Sequence, residues 1–227
     1  GNKLKDNKFN ISTNPLGIIY NPISIVKGLK RIFKEQLYVN NEVNSYNNKW
    51  FSFDHHSSFS SYEKTDCLEK INAEITGAAA ALKITKTIVI TLGSAWVYEY
   101  ENVGIVANCH KIPNKNFKKR LLSIKEIISA FEEIKKELSG YNIIFTVSPI
   151  RHSKEGLHEN NLSKATLLLV IDNLVKQNSN YNYFPAYELV IDELRDYRFF
   201  KDDLVHPTKL AINYVWEKFM TTFCDGE

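Results

Sequence analysis

Thr87-Ile88-Val89-Ile90-Thr91-Leu92, followed by Gly93-Ser94, is the stretch whose reading decides the fold. A continuous β-branched run without charge is the pattern of a strand buried on both faces of a parallel sheet. Asn142 to Val147 (N-I-I-F-T-V) repeats it. Between the two runs, Val97 to Val106 reads as a hairpin around Glu101 to Gly104. Ser123 with Glu126 then forms a capping box, opening a helix with Ile127, Ile128, Phe131, Ile134 and Leu138 inward. Toward the N-terminus, Asp66 to Leu82 carries Leu68, Ile71, Ile75, Ala79 and Leu82 on one helical face. Trp50 to Phe53 is a short aromatic strand or loop, and Pro22 to Leu37 a helix. Lys8 to Thr13 alternates apolar and polar residues as a strand does, then meets Asn14-Pro15. Toward the C-terminus, Ser163 opens a helix bearing Leu167, Val170, Ile171 and Leu174. Tyr183-Phe184 ends a short strand, Ala186 to Leu194 is helical, and Pro207 to Phe219 closes the chain. Strands alternating with helices predict an α/β fold with a parallel sheet.

The 227 residues, 44% hydrophobic and 12% aromatic, are enough to bury one full core, so residues 1–227 read as a single domain. A net charge of +3 with acids and bases interspersed leaves no stripe for nucleic acid. Lys111, Lys115, Lys118, Lys119 and Arg120 fall in a loop, read as solvated or as steering an anionic substrate. Cys67, Cys109 and Cys224 form no paired motif; an odd number of scattered thiols points to a reducing, cytoplasmic compartment. No apolar run approaches a membrane span, and no membrane partner is expected. The start looks internal, so it carries no information on export.

In α/β folds ligands bind beyond the carboxyl ends of the strands. Gly93-Ser94-Ala95-Trp96-Val97-Tyr98 follows one predicted strand, Ser148-Pro149-Ile150-Arg151-His152 another, and Asn14-Pro15-Leu16-Gly17 a third. Asp203-Leu204-Val205-His206-Pro207 adds the chemistry. A carboxylate three residues before a histidine can turn back to hold Nδ1–H, leaving Nε2 to take a proton from a hydroxyl nucleophile. Pro207 keeps His206 out of the helical region and suits the first turn of the last helix. The alternative is that Asp203 caps that helix and His206 is a surface residue.

Nine stretches together resemble the GSCFA family, part of the wider SGNH (GDSL-like) hydrolase group. They are N-P-L-G-I-I-Y-N-P (14–22), F-x-x-x-H-H-S-x-F-S (51–60), T-L-G-S-A-W-V-Y-E (91–99), N-C-H-K (108–111), V-S-P-I-R-H (147–152), L-S-K-A-T-L-L (162–168), F-P-A-Y-E-L (184–189), D-E-L-R-D-Y-R-F (192–199) and D-L-V-H-P (203–207). The resemblance spans nearly the whole chain. It implies a three-layer α/β/α, flavodoxin-like domain with strand order 2-1-3-4-5, and an ester hydrolase site in which Asp203 and His206 are the triad acid and base. It also implies that Gly93 and Ser94 lie in the block that lends oxyanion-hole donors. The Gly-Ser-Cys-Phe-Ala segment that names the family, and that carries the nucleophile, is absent from this sequence. Its place is a few residues before Gly1, and the central strand that leads into it is absent too. The expectation is therefore of a chain clipped from a longer protein and inactive as it stands. Lys8–Thr13 and Thr87–Leu92 should then face each other across an empty lane about 9.6 Å wide, twice the interstrand spacing.

Two other residues carry nucleophilic atoms, Ser94 and Cys109. Ser94 follows a strand and a glycine, but a hairpin follows it rather than the helix of a nucleophile elbow. Cys109 beside His110 suggests a thiol only weakly, since neighbours on a strand face opposite ways. Among His55, His56, His110, His152 and His158 no metal-ligand spacing appears, so neither metal nor cofactor is expected. Arg151 and His152 belong at the pocket, where Arg151 either binds a substrate carboxylate or anchors the acidic segment Asp192 to Asp196. Trp96 and Tyr98, with Phe51 and Phe59, form a substrate wall or ordinary core. The main expectation is a serine esterase acting on an acyl or acetyl ester of a small molecule or carbohydrate, with N–H groups near Gly17 and Gly93 holding the oxyanion. The second is a non-catalytic carbohydrate- or metabolite-binding module that kept the cleft.

Overall fold

The computed structural model describes residues 1–151 and 156–224. Its helices are α1 (Asn2–Asp6), α2 (Pro22–Phe33), α3 (Lys64–Leu82), α4 (Ile124–Glu132), α5 (Lys135–Leu138), α6 (Leu157–Gln177), α7 (Ala186–Glu188) and α8 (Lys209–Phe223). Its strands are β1 (Asn44–Tyr46), β2 (Lys49–Phe51), β3 (Thr87–Leu92), β4 (Trp96–Tyr100), β5 (Gly104–Val106), β6 (Phe117–Leu121), β7 (Asn142–Val147) and β8 (Tyr181–Phe184). The chain is thus mixed α and β with a parallel sheet, and it divides into two compact units. One holds Gly1–Lys86 with Ala95–Tyr141; the other holds Thr87–Ser94 with the chain from Asn142 onward.

The second unit is built on the sheet β3-β7-β8. β3 and β7 run parallel in register from Thr87 opposite Asn142 to Leu92 opposite Val147, over the residues the sequence predicts. β8 joins the other side of β7, also parallel. β7, the central strand, is buried from Ile143 onward. Residues alternate across a strand, so Ile144 and Phe184 lie on one face, and α8 covers it with Tyr214, Val215, Phe219 and Phe223. α6 turns Leu167, Val170, Ile171 and Leu174 inward. The sequence reading needs a correction at β3. Its composition predicts burial on both faces, yet Thr87, Val89 and Thr91 are exposed and only Ile90 and Leu92 are buried. β3 is an edge strand that pairs with β7 and with no other described strand, so β-branched composition here does not report two covered faces.

The first unit packs α2 against α3 and α4, with one core around Leu16, Ile32, Ile71 and Ile75. Asn21 caps α2 by accepting the Ser24 N–H at 2.8 Å, with Pro22 at the first turn. The sheet β5-β4-β6 is antiparallel and covers an aromatic cluster of Phe51, Phe53 and Phe117. The capping box forms as predicted: Ser123 Oγ accepts the Glu126 N–H, and Glu126 accepts the Ser123 N–H.

Several segments differ from the sequence reading, among them Lys118, Lys119 and Arg120, which lie on β6 and not in a loop. Lys8–Thr13 is irregular and not a strand; Lys8 and Asn14, at φ 64° and 49°, bend the chain at both ends of the segment. Period-two alternation makes a strand only where a neighbour takes up the backbone donors and acceptors. The predicted empty lane between Lys8–Thr13 and β3 therefore loses one of its two walls. α2 stops at Phe33, well before Leu37, because Glu35 at φ 49° reverses the backbone. Ser163 lies inside α6 and does not open it, since the helix begins at Leu157. Among the described residues no helix is long and apolar enough to cross a membrane.

Candidate active-site turn

The loop between the helical turn Tyr197–Phe199 and α8 is closed by its own backbone. Phe200 bridges Pro207, and the Lys201 N–H donates to the His206 carbonyl at 2.8 Å. The Thr208 N–H donates to the Phe199 carbonyl at 2.8 Å. Leu204 sits at φ 56°, in the left-handed region, and its N–H returns to the Lys201 carbonyl. Inside this loop Asp203 Oδ1 accepts the N–H groups of Val205 and His206, each at 2.9 Å. Asp203 Oδ2 lies 2.6 Å from His206 Nδ1. The His206 and Val205 backbone donors, and then the ring, hold the Asp203 carboxyl down at about 2. An ionised carboxylate is acceptor-only, so it fixes the proton on Nδ1 and leaves Nε2 as the basic nitrogen. Nε2 has no hydrogen-bond partner among the described residues, and the ring is half exposed. The cap of α8 is Thr208, whose hydroxyl accepts the Ala211 N–H, so Asp203 does not serve as that cap.

The same unit holds the corner after β3 and the loop after β7. Gly93 and Ser94 are buried, and Ser94 Oγ lies 3.4 Å from Ser163 Oγ on α6. A buried hydroxyl beneath a helix suits a turn residue better than a nucleophile. Lys164 Nζ donates at 2.7 Å to the Gly93 carbonyl and at 2.7 Å to the Ser148 carbonyl. Arg151 lays its guanidinium 5.0 Å from the centre of the Phe200 ring, at the root of the Asp203–His206 loop. It makes no ion pair with the segment Asp192 to Asp196 among the described residues; Asp196 pairs instead with Arg198. His152 lies outside the described residues.

The other predicted site residues belong to the first unit. Gly17, at φ 77°, closes a tight turn on the Asn14 carbonyl, and the Leu16 carbonyl accepts the His56 N–H. A Cβ at Gly17 would stand 2.2 Å from His56 Cβ, so only glycine fits. Trp96 and Tyr98 share one face of β4, with the Lys119 ammonium 4.7 Å from the Trp96 ring. Tyr98 packs edge-on against Phe117 and is half-buried beside the aromatic cluster. Cys109 has its thiol pushed up to about 11 by burial, the opposite of an activated nucleophile. His110 stacks on Phe51 and its Nε2 contacts the Ser52 carbonyl at 2.8 Å. His55 is wholly buried between Tyr38 and Phe59 with neither ring nitrogen bonded. Burial pushes both rings down to about 4. Among the described residues no three His, Cys, Asp or Glu groups stand where they could hold a metal ion.

Sequence reasoning missed Lys164 and Leu204. Lys164 had a signal: it sits three residues before Leu167 and seven before Ile171, on the apolar stripe of its helix. Leu204 had none, because leucine does not announce a left-handed backbone. With this geometry in view, the sequence model of the GSCFA family matches residues 1–219. No curated protein and no solved structure matches the chain.

Proposed function

The chain belongs to the GSCFA family, and from that membership we propose that it works as an SGNH-type serine ester hydrolase with His206 as base and Asp203 as its orienting acid. The observation that carries the reading is the Asp203 carboxylate, which binds two backbone N–H groups with one oxygen and His206 Nδ1 with the other. That arrangement selects the tautomer a general base needs and leaves Nε2 accessible. The layering is taken as the three-layer α/β/α form of SGNH hydrolases. The nucleophile is taken as a serine on a Gly-Ser-Cys-Phe-Ala segment ahead of Gly1. Its Oγ attacks the ester carbonyl while its proton passes to Nε2. The alcohol C–O bond then breaks, and Nε2 returns the proton to the departing alkoxide. Water attacks the acyl-enzyme with His206 again as base, releasing the carboxylic acid and the free serine. The Gly93–Ser94 corner, in the same unit as His206, supplies N–H donors to the oxyanion. Acyl or acetyl esters of small molecules or carbohydrates are the substrate class.

The test uses the protein with the serine-bearing segment joined ahead of Gly1. Turnover of p-nitrophenyl acetate and butyrate is expected, with His206→Ala lowering kcat/KM by about 10³-fold or more. A fluorophosphonate probe should label the nucleophile serine in the wild type. If the protein binds ligands yet shows neither turnover nor labelling across acyl lengths, the reading fails and a binding module takes its place.

A further inference from the structure

Lys164 is 1% exposed, and its polar partners among the described residues are two main-chain carbonyls. Those carbonyls belong to Gly93 and Ser148, the first residues beyond the last paired rung of β3 and β7, Leu92 opposite Val147. There the ladder ends: the Ser148 N–H still donates to the Leu92 carbonyl, but the next two carbonyls have no strand partner among the described residues. Buried carbonyls without a donor are costly, and a charged donor is a stronger partner than a neutral amide. The ammonium therefore replaces the missing rung and fixes how far the two loops can separate. Its positive charge is also bonded to the carbonyl of the Gly93–Ser94 peptide. We propose that Lys164 is the positioning residue of this sheet-end site: it ties the Gly93 and Ser148 carbonyls together and sets the conformation in which the Gly93–Ser94 corner meets an anionic or oxyanion-like group.

The functional half of this proposal rests on the ester hydrolase reading; the structural half does not. Burial alone lowers the Lys164 ammonium to about 8, so its charge is lost within an accessible range. The other groups facing this end are Tyr187, whose ring centre is 5.9 Å from Nζ, and Arg151, Glu188 and Asp192, which act on Tyr187. Burial raises the Tyr187 hydroxyl, so that group does not titrate near the lysine.

The experiment is an NMR titration of the full chain from about pH 6 to 10, spanning the ordinary range of lysine and its lowered value. Pro149 has no N–H, so the reporters are the carbonyl ¹³C shifts of Gly93 and Ser148 and the amide ¹⁵N of Ser94. These three are expected to move together with a midpoint near 8, while Asn182 on β8 stays still. Lys164→Met should abolish the transition and split or broaden the Gly93 and Ser94 signals. If that variant does not fold, the wild-type titration still decides. The proposal is overturned if the three reporters stay flat in the wild type, or if they titrate alike in Lys164→Met. On the active protein, the wild type should lose kcat/KM as pH rises past the lysine transition. Absence of turnover with an intact carbonyl titration sinks the hydrolase reading alone. Turnover with flat carbonyls sinks the role of Lys164 alone.

Discussion

The ring of His206 lies half exposed on a loop, bonded through Nδ1 to Asp203, whereas the ring of His55 lies buried in the other unit with neither nitrogen bonded. Each histidine has an aspartate close by in sequence, Asp203 and Asp54. The difference is spacing. At three residues the chain can fold back so that one carboxylate reaches both the turn backbone and the ring. At one residue the two side chains diverge, and Asp54 gives its oxygens to Lys27 at 2.7 Å and the Tyr38 hydroxyl at 3.1 Å. The His55 ring is then packed as an apolar plate, edge-on to Tyr38. Burial and a histidine do not make a site; a chosen tautomer and a reachable free nitrogen do.

The largest effect that can break this contrast is on turnover, in Asp203→Asn. The asparagine carbonyl oxygen can accept the Val205 and His206 N–H groups as Oδ1 does, so the turn should survive. Its NH₂ then faces Nδ1, which must become the acceptor, and the proton moves to Nε2. The base is lost without loss of fold, and kcat/KM should fall by about 10⁴-fold while thermal unfolding stays unchanged. His55→Leu in the same assay should stay within about threefold, since a ring with neither nitrogen bonded takes no part in the proposed proton transfer. If Asp203→Asn keeps more than a tenth of wild-type activity, His206 is no more catalytic than His55.

A medium effect, on stability, sharpens the other side. His55 and His110 fall to about 4 in the folded chain, below the ordinary 6.5. Between those values the unfolded chain binds more protons, so stability rises with pH across the window. The contribution is fully present above about pH 6.5 and is lost as pH falls toward 4, on the order of 3 kcal/mol for each ring. Leucine is close to histidine in volume and leaves no polar atom unpaired, so at neutral pH His55→Leu should be within about 1 kcal/mol of the wild type. Denaturant unfolding at a series of pH values should show the variant losing about half as much stability on acidification. Parallel curves would mean that the His55 ring is not held neutral by the fold.

The contrast also explains what the sequence could disclose. β3 and β7 were legible to the residue because uncharged β-branched runs have few other uses, and Asp203 with His206 because the contact is local. Lys8–Thr13 was misread because alternation is a property of six residues, whereas pairing depends on a partner elsewhere in the chain. The role of Trp96 and Tyr98 is not legible, because aromatic type does not say which face of β4 is covered. Lys164 was passed over because lysine is almost never fully buried, although its place on the α6 stripe was visible. How layers stack is illegible for a related reason: it depends on contacts distant in sequence, and local pattern carries none of that.

The smallest effect concerns the backbone of the turn. Leu204 holds φ 56° with its side chain 50% exposed, while no residue from Asp54 to His56 is left-handed. Non-glycine residues in that region carry a cost of about 1–2 kcal/mol. Glycine removes it but loses about 0.5–1 kcal/mol through the freer unfolded chain. Leu204→Gly should therefore stabilise by roughly 0.5 kcal/mol, a rise of about 1–2 °C in Tm for a chain of this length. The Lys201 and Asp203 hydrogen bonds hold the turn closed with either residue, so kcat/KM should change by less than about threefold. Strain of this kind persists where surrounding bonds over-determine the backbone, and it gathers at working sites. The outcome that would undo the argument is a loss of more than about 1 kcal/mol, the size expected for an apolar side chain taken from a packed setting. Leu204 would then be a packing residue, and its left-handed backbone a consequence of that packing rather than of holding Asp203 against His206.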